Sequence, residues 1–126
     1  MKATDFSPVR RWKSFGHAFR GLAYLLRSQP HARLHALATV VVAGLGFALK
    51  VSRGEGLALV LAVGLVWMSE AVNTAVETLA DAVHPEHHPL VGRAKDVAAA
   101  GVLISALAAL VVGLLVFIPR FLSRLN

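Results

Sequence analysis

The sequence contains no cysteine, and only 16% of its 126 residues carry a charge. The first absence removes disulfides, thiolate nucleophiles and thiolate-held metals, without fixing a compartment. The second leaves little material for a fully solvated surface. No internal repeat or low-complexity tract is present. A Gly-x-x-x-x-Gly-Lys-Ser/Thr loop is missing, and so is the motif set of protein kinases, so any nucleotide chemistry would need another scaffold. The first thirty or so residues are polar and basic, with no early apolar core of the signal-peptide kind. Apolar segments further along are therefore expected to direct membrane insertion themselves.

Hydrophobic residues make up 56% of the chain, and they are bunched rather than spread at helix or strand period. One stretch runs from Leu34 to Leu49. A second runs from Leu57 to Met68 and continues as an amphipathic segment to Val83; a third runs from Val97 to Ile118. The third is about 22 residues long without a charge, enough to cross roughly 30 Å of hydrocarbon at 1.5 Å per residue. The expected fold is all-α and membrane-embedded, a single domain over residues 1–126. Its spans are predicted at about 33–50, 56–83 and 96–118. Lys50 to Glu55 is so short a connection that the first two spans should form an antiparallel hairpin.

Ahead of the spans, Phe15, Phe19, Leu22 and Leu26 repeat at helical spacing among arginines and lysines. This predicts an amphipathic helix over about 9–28, suited to an anionic membrane surface. Pro30 disfavours helix at Gln29 and marks a bend before the first span. The formal net charge is +6. On a soluble domain that would suggest nucleic acid, but its distribution here excludes that partner. Nine of the thirteen basic residues lie before the first span or between the second and third, against four on the other side. That bias places the N-terminus in the cytoplasm.

The second span ends in Ser69-Glu70-Ala71-Val72-Asn73-Thr74-Ala75-Val76-Glu77-Thr78-Leu79-Ala80-Asp81. Glu70, Asn73, Glu77 and Asp81 fall within about 80° of one helical face. A solvated helix end accounts for Asp81 and for Glu77, but not for Glu70, which follows Leu65-Val66-Trp67-Met68. Charges this deep in a span usually face a partner or a cavity and mark function. Arg93, Lys95 and Asp96 come just across the loop. Acids that hold Mg²⁺ beside a lysine suit a bound polyphosphate, since magnesium is commonly held by one or two carboxylates plus phosphate oxygens. Phosphoryl transfer needs chiefly positioning and charge neutralisation. Ion transport stays open on these residues alone. In the third span Gly101, Ser105, Ala109 and Gly113 form a small-residue stripe that lets helices approach closely. His84, His87 and His88 also invite a transition-metal reading, although surface histidines beside prolines are common.

These residues carry a resemblance. Glu70-Ala-Val-Asn73-Thr-Ala-Val-Glu77-Thr-Leu-Ala-Asp81, followed by His88-Pro-Leu-Val-Gly92-Arg93-Ala94-Lys95-Asp96, resembles the prokaryotic diacylglycerol kinase family, which includes undecaprenol kinases. The likeness extends from the Arg20-Gly21 pair to the third span. It implies a lipid kinase using ATP and Mg²⁺, built as a homotrimer whose active sites are shared between protomers. By this resemblance Glu70 corresponds to the general base, Glu77 to a ligand of the nucleotide's metal and Asn73 to an active-site amide. Lys95 and Asp96 correspond to a nucleotide-contacting pair, and Glu86 and His88 to loop positions near the adenine. Arg10 corresponds to a basic residue near the phosphates and the lipid headgroup, and Ala99 joins Arg10 and Glu70 beside the acceptor lipid. His17 falls where the family often has an aromatic ring against the nucleotide.

One departure stands out. Where the family has a glutamate sharing the metal with the counterpart of Glu77, this chain has Gln29, and the asparagine expected two residues later is His31. Glutamine keeps a carbonyl oxygen for the metal but loses a charge. Diacylglycerol and undecaprenol are both candidate acceptors, with His88-Pro-Leu leaning toward undecaprenol. The rival readings are a proton or cation pathway built on the same carboxylate face, and an assembly subunit without catalysis.

Overall fold

The computed structural model describes residues 8–125, with side-chain surroundings from Arg11 onward. It contains four helices: α1 (Pro8–Ser28), α2 (Pro30–Ala48), α3 (Arg53–Val83) and α4 (Pro89–Leu125). The last three are long and apolar enough to cross a membrane. Large apolar side chains such as Phe47, Leu61, Val72, Ile104 and Leu115 lie exposed along them. Within one chain that surface has no covering, and lipid or a second copy is the environment in which it costs nothing.

The break between α1 and α2 falls where proline requires it. Gln29 is extended, with φ −111° and ψ 115°, and Pro30 opens α2 at a position whose missing N–H is not needed. The side chain of Arg33 reaches back over the break. Its Nε donates to the Leu26 carbonyl at 3.0 Å and its Nη2 to the Arg27 carbonyl at 2.8 Å. Two orphan acceptors at the end of α1 are thereby satisfied, and the bend is held.

The first loop also satisfies its own backbone. The Val51 N–H donates to the Gly46 carbonyl and the Lys50 N–H to the Phe47 carbonyl, the bond pair of a Schellman motif. Lys50 occupies the left-handed position, φ 50°, where glycine is the usual residue. Ser52 then caps α3: its hydroxyl accepts from the Glu55 N–H, while the Glu55 carboxylate accepts from the Ser52 N–H. The hairpin between the first two spans is as the short loop predicts.

Helix ends depart from the sequence-based expectation. α2 begins at Pro30 rather than near residue 33. The second loop shrinks to five residues, His84–His88, because Pro89 serves as the first residue of α4. α4 also continues through Pro119 to Leu125, seven residues beyond Ile118. Pro119 costs one backbone hydrogen bond, but the turns beyond it are anchored. Arg120 pairs with Glu55 and donates through Nη1 to the Lys50 carbonyl at 3.1 Å, and Arg124 donates to the Ala48 carbonyl at 2.7 Å. Cations thus sit on the free carbonyls that end α2.

An apolar cluster lies directly inside this clamp, where Leu49, Leu59, Val116 and Phe117 are buried against one another. α3 and α4 form the most extensive helix pair. Of the small-residue stripe, Ser105 is buried, but a Cβ added at Gly101 or Gly113 would meet nothing within 4 Å. The close approach those glycines permit is not made within one chain.

Arg120→Ala removes both the ion pair with Glu55 and the bond to the Lys50 carbonyl, and should lower the melting temperature in detergent micelles at pH 6. Thermal melts of both proteins check this.

Candidate functional site

Three polar contacts join α2 to α3, stepping in opposite directions along the two helices. At the open end the Gln29 amide lies 3.5 Å from Glu77 Oε2. Deeper, His35 Nε2 lies 3.7 Å from Glu70 Oε2. Deepest, the Trp67 indole N–H donates to Thr39 Oγ1 at 2.9 Å, and that hydroxyl donates to the His35 carbonyl at 2.7 Å. The antiparallel hairpin produces the ladder, because Gln29 at the N-cap of α2 and residues 35 and 39 within it then meet 77, 70 and 67 on α3.

The rungs differ in depth. About twenty residues of helix cover a 30 Å hydrocarbon layer, so a layer beginning beside Glu55 ends near Ala75. Glu70 falls inside that boundary, while Glu77 and Asp81 fall beyond it. Within the chain, Glu70 is 2% exposed, Glu77 half-buried and Asp81 exposed. A carboxylate so enclosed needs a polar neighbour, and His35 is that neighbour. No motif in the sequence singles out His35; its position within an otherwise apolar span is the one signal it carries.

Around Glu77 the side chains converge. Asn73 Nδ2 donates to Glu77 Oε1 at 3.2 Å, and Gln29 approaches the other oxygen. Asn73 Oδ1 is buried and has no hydrogen-bond partner. An orphaned amide oxygen beside a carboxylate, with a second amide opposite, is a set of hard oxygen donors suited to Mg²⁺. Amide oxygen and nitrogen positions exchange by a simple flip, so Gln29 can present its oxygen to the same point. Among the described residues no three His, Cys, Asp or Glu side chains gather around a common metal position. His84 Nδ1 lies 3.2 Å from the Glu86 carbonyl, and His88 Nδ1 accepts from the Leu90 N–H at 3.2 Å.

Lys95, near the start of α4, pairs with Asp81 at 2.6 Å. Of Arg93, Lys95 and Asp96, it is Lys95 that reaches the outer part of the carboxylate face, at Asp81. Asp96 and Ala99 are exposed on α4, Glu86 is exposed in the loop, and His17 on α1 accepts from Arg20 at 2.6 Å. None of these four makes a hydrogen bond or ion pair with Glu70, Asn73 or Glu77 within the chain. Arg10 lies in α1, but its side chain is outside the described residues.

A half-open apolar groove of about 480 Å³ runs between α2, α3 and α4 toward the clamp. His35, Thr39 and Trp67 form its polar end; Val42, Leu59, Leu110 and Phe117 line the rest.

The model of the prokaryotic diacylglycerol kinase family matches residues 16–117. The undecaprenol kinase of Bacillus subtilis (strain 168) is 37% identical over 111 residues, spanning 88% of this chain and 90% of its own. A diacylglycerol kinase of Synechocystis sp. is 35% identical over 111 residues, covering 87% of this chain and 63% of its own. The diacylglycerol kinase of Escherichia coli (strain K12) is 30% identical over 99 residues, 79% of this chain and 81% of its own. The chain belongs to the prokaryotic diacylglycerol kinase family, a family of lipid kinases.

Proposed function

We propose that this protein transfers the γ-phosphoryl group of ATP to the hydroxyl of a membrane lipid alcohol, with Mg²⁺, at the cytoplasmic face of the inner membrane. The observation that carries the reading is the graded face of α3: a carboxylate enclosed within the span, followed outward by an amide, a second carboxylate and an Asp–Lys pair. Lipid hydroxyls lie at the depth of the first and nucleotide phosphates at the depth of the last. One helix therefore offers a group to each reactant.

Glu70 takes the proton as the hydroxyl's O–H bond breaks. The lipid oxygen bonds to the γ-phosphorus, and the bond from that phosphorus to the departing ADP oxygen breaks. Positioning and charge neutralisation supply most of the acceleration in such transfers. Mg²⁺ held by Glu77, with the oxygens of Asn73 and Gln29, would neutralise charge on the phosphates. Lys95 and Asp96 bind the nucleotide from α4, joined by His17, Glu86 and His88, while Arg10 and Ala99 serve the phosphates and the lipid. The acceptor's hydrocarbon chain remains in the apolar phase that the groove adjoins. Undecaprenol is the first acceptor to test, because the undecaprenol kinase relative shares 37% of residues over 88% of this chain.

The working unit is a homotrimer of this single-domain chain, with the N-terminal amphipathic helix on the membrane surface and sites shared between copies. Supporting this are the uncovered apolar faces, the unused approach at Gly101 and Gly113, and the site residues His17, Glu86, Asp96 and Ala99, which make no polar contact with Glu70 or Glu77 within one chain. The excess of basic residues before the first span and in the second loop supports a cytoplasmic N-terminus.

Phosphate transfer from ATP in mixed micelles, offering undecaprenol and diacylglycerol separately, tests the reading. The parent should phosphorylate one of them, and Glu70→Gln should lower kcat by about 10²- to 10⁴-fold. No transfer to either acceptor by folded protein would sink it. Gln29→Glu restores a second carboxylate beside Glu77 and should lower the Mg²⁺ concentration for half-maximal rate several-fold, measured by titration at saturating ATP. Inactive Glu70→Gln copies mixed with inactive Lys95→Ala copies should regain part of the parent rate if sites are shared, and none if each chain works alone.

A further inference from the structure

Glu70 is the most enclosed charged residue described, and its polar neighbour comes from another helix. His35 Nε2 stands 3.7 Å from Glu70 Oε2. That is longer than a hydrogen bond but within the range from which pairs tighten when reactants bind. The position of the ring is not accidental to local packing. The His35 carbonyl accepts the Thr39 hydroxyl, and Thr39 accepts the Trp67 indole N–H one turn of α3 below Glu70. A backbone point on α2 and a side chain on α3 are therefore joined by two hydrogen bonds directly beside the imidazole–carboxylate pair, and they hold the two helices in register there. The same ring lines the polar end of the apolar groove, next to the phase from which a lipid hydroxyl approaches.

We propose that His35 is a positioning residue for Glu70, acting across the α2–α3 interface; this rests on the kinase reading above. An Nε2–H tautomer donates to Oε2, which leaves Oε1 to receive the acceptor's proton. A carboxylate held by one oxygen has its second aimed, whereas a free glutamate on an apolar helix face has several rotamers of similar energy. Thr39 and Trp67 fix the register that brings the ring to that oxygen. The imidazole forms no bond to either reactant, so it is not itself a catalytic residue.

The test compares His35→Ala, His35→Leu and His35→Gln with the parent in the micelle assay, each with its melting temperature. Glutamine places an amide N–H near the position of Nε2; leucine keeps the volume and removes the donor. The expected result is a loss in kcat of about tenfold or more for Ala and Leu, with KM for ATP within about twofold and melting temperatures retained, and recovery of most of that loss in Gln. In the Glu70→Gln background, His35→Ala should add little further loss, because residues acting as a unit are not additive. The proposal is overturned if Ala and Leu turn over within twofold of the parent. Multiplying losses in the double variant overturn it too, as does loss of folding together with turnover in both Ala and Leu, the mark of a merely structural residue. Absence of any transfer by the parent removes the kinase reading and this proposal together. Transfer that Glu70→Gln abolishes and His35 variants leave intact removes this proposal alone.

Discussion

A polar side chain inside hydrocarbon has no water to turn to, and the two polar rungs within the span between α2 and α3 answer that constraint. Each couples a group that would be costly alone: the Glu70 carboxylate with His35, the Trp67 indole with Thr39. The pairing requires an antiparallel hairpin in one register, since a shift of one residue would turn every partner by 100° around its helix. Function is drawn from the same device. The groups that hold the hairpin together toward its open end are those that face the reactants in the proposed reaction.

The two ends of the molecule are built from opposite materials. At the Lys50 end a Schellman motif, a capping box and two arginines from α4 satisfy the free backbone groups, and an apolar cluster fills the space beneath. At the other end α3 continues past the hydrocarbon and carries Asn73, Glu77 and Asp81 outward, with one amide oxygen left without a partner. The closed end has its backbone groups satisfied, and the polar end is left able to accept ligands. This division suits an enzyme whose acceptor arrives within the bilayer and whose donor arrives from water.

Phosphoryl transfer without a glycine-rich loop asks what cradles the phosphates. The inventory here is carboxylate, amide and lysine side chains on two helices instead of backbone N–H groups in a nest. In the proposed enzyme such a cradle works only when charge is neutralised by the metal, so the neutral amide of Gln29 beside Glu77 bears on metal handling more than on the fold.

Much of this architecture is legible in the amino-acid sequence alone. Three apolar runs specify three spanning helices, because length and hydropathy decide which segments can cross a bilayer, and Pro30 specifies the break that precedes them. The spacing of Glu70, Asn73, Glu77 and Asp81 specifies a single face, because helical periodicity is local. Helix ends are less legible: proline at residue 89 starts a helix and proline at residue 119 fails to stop one, and the difference lies in what Arg120 and Arg124 find on α2. The partners across helices are not legible at all. That His35 meets Glu70, and that Asn73 keeps an oxygen free beside Glu77, depends on the rotation and register of packed helices, which are set by contacts far apart in the chain and leave no periodic trace within it.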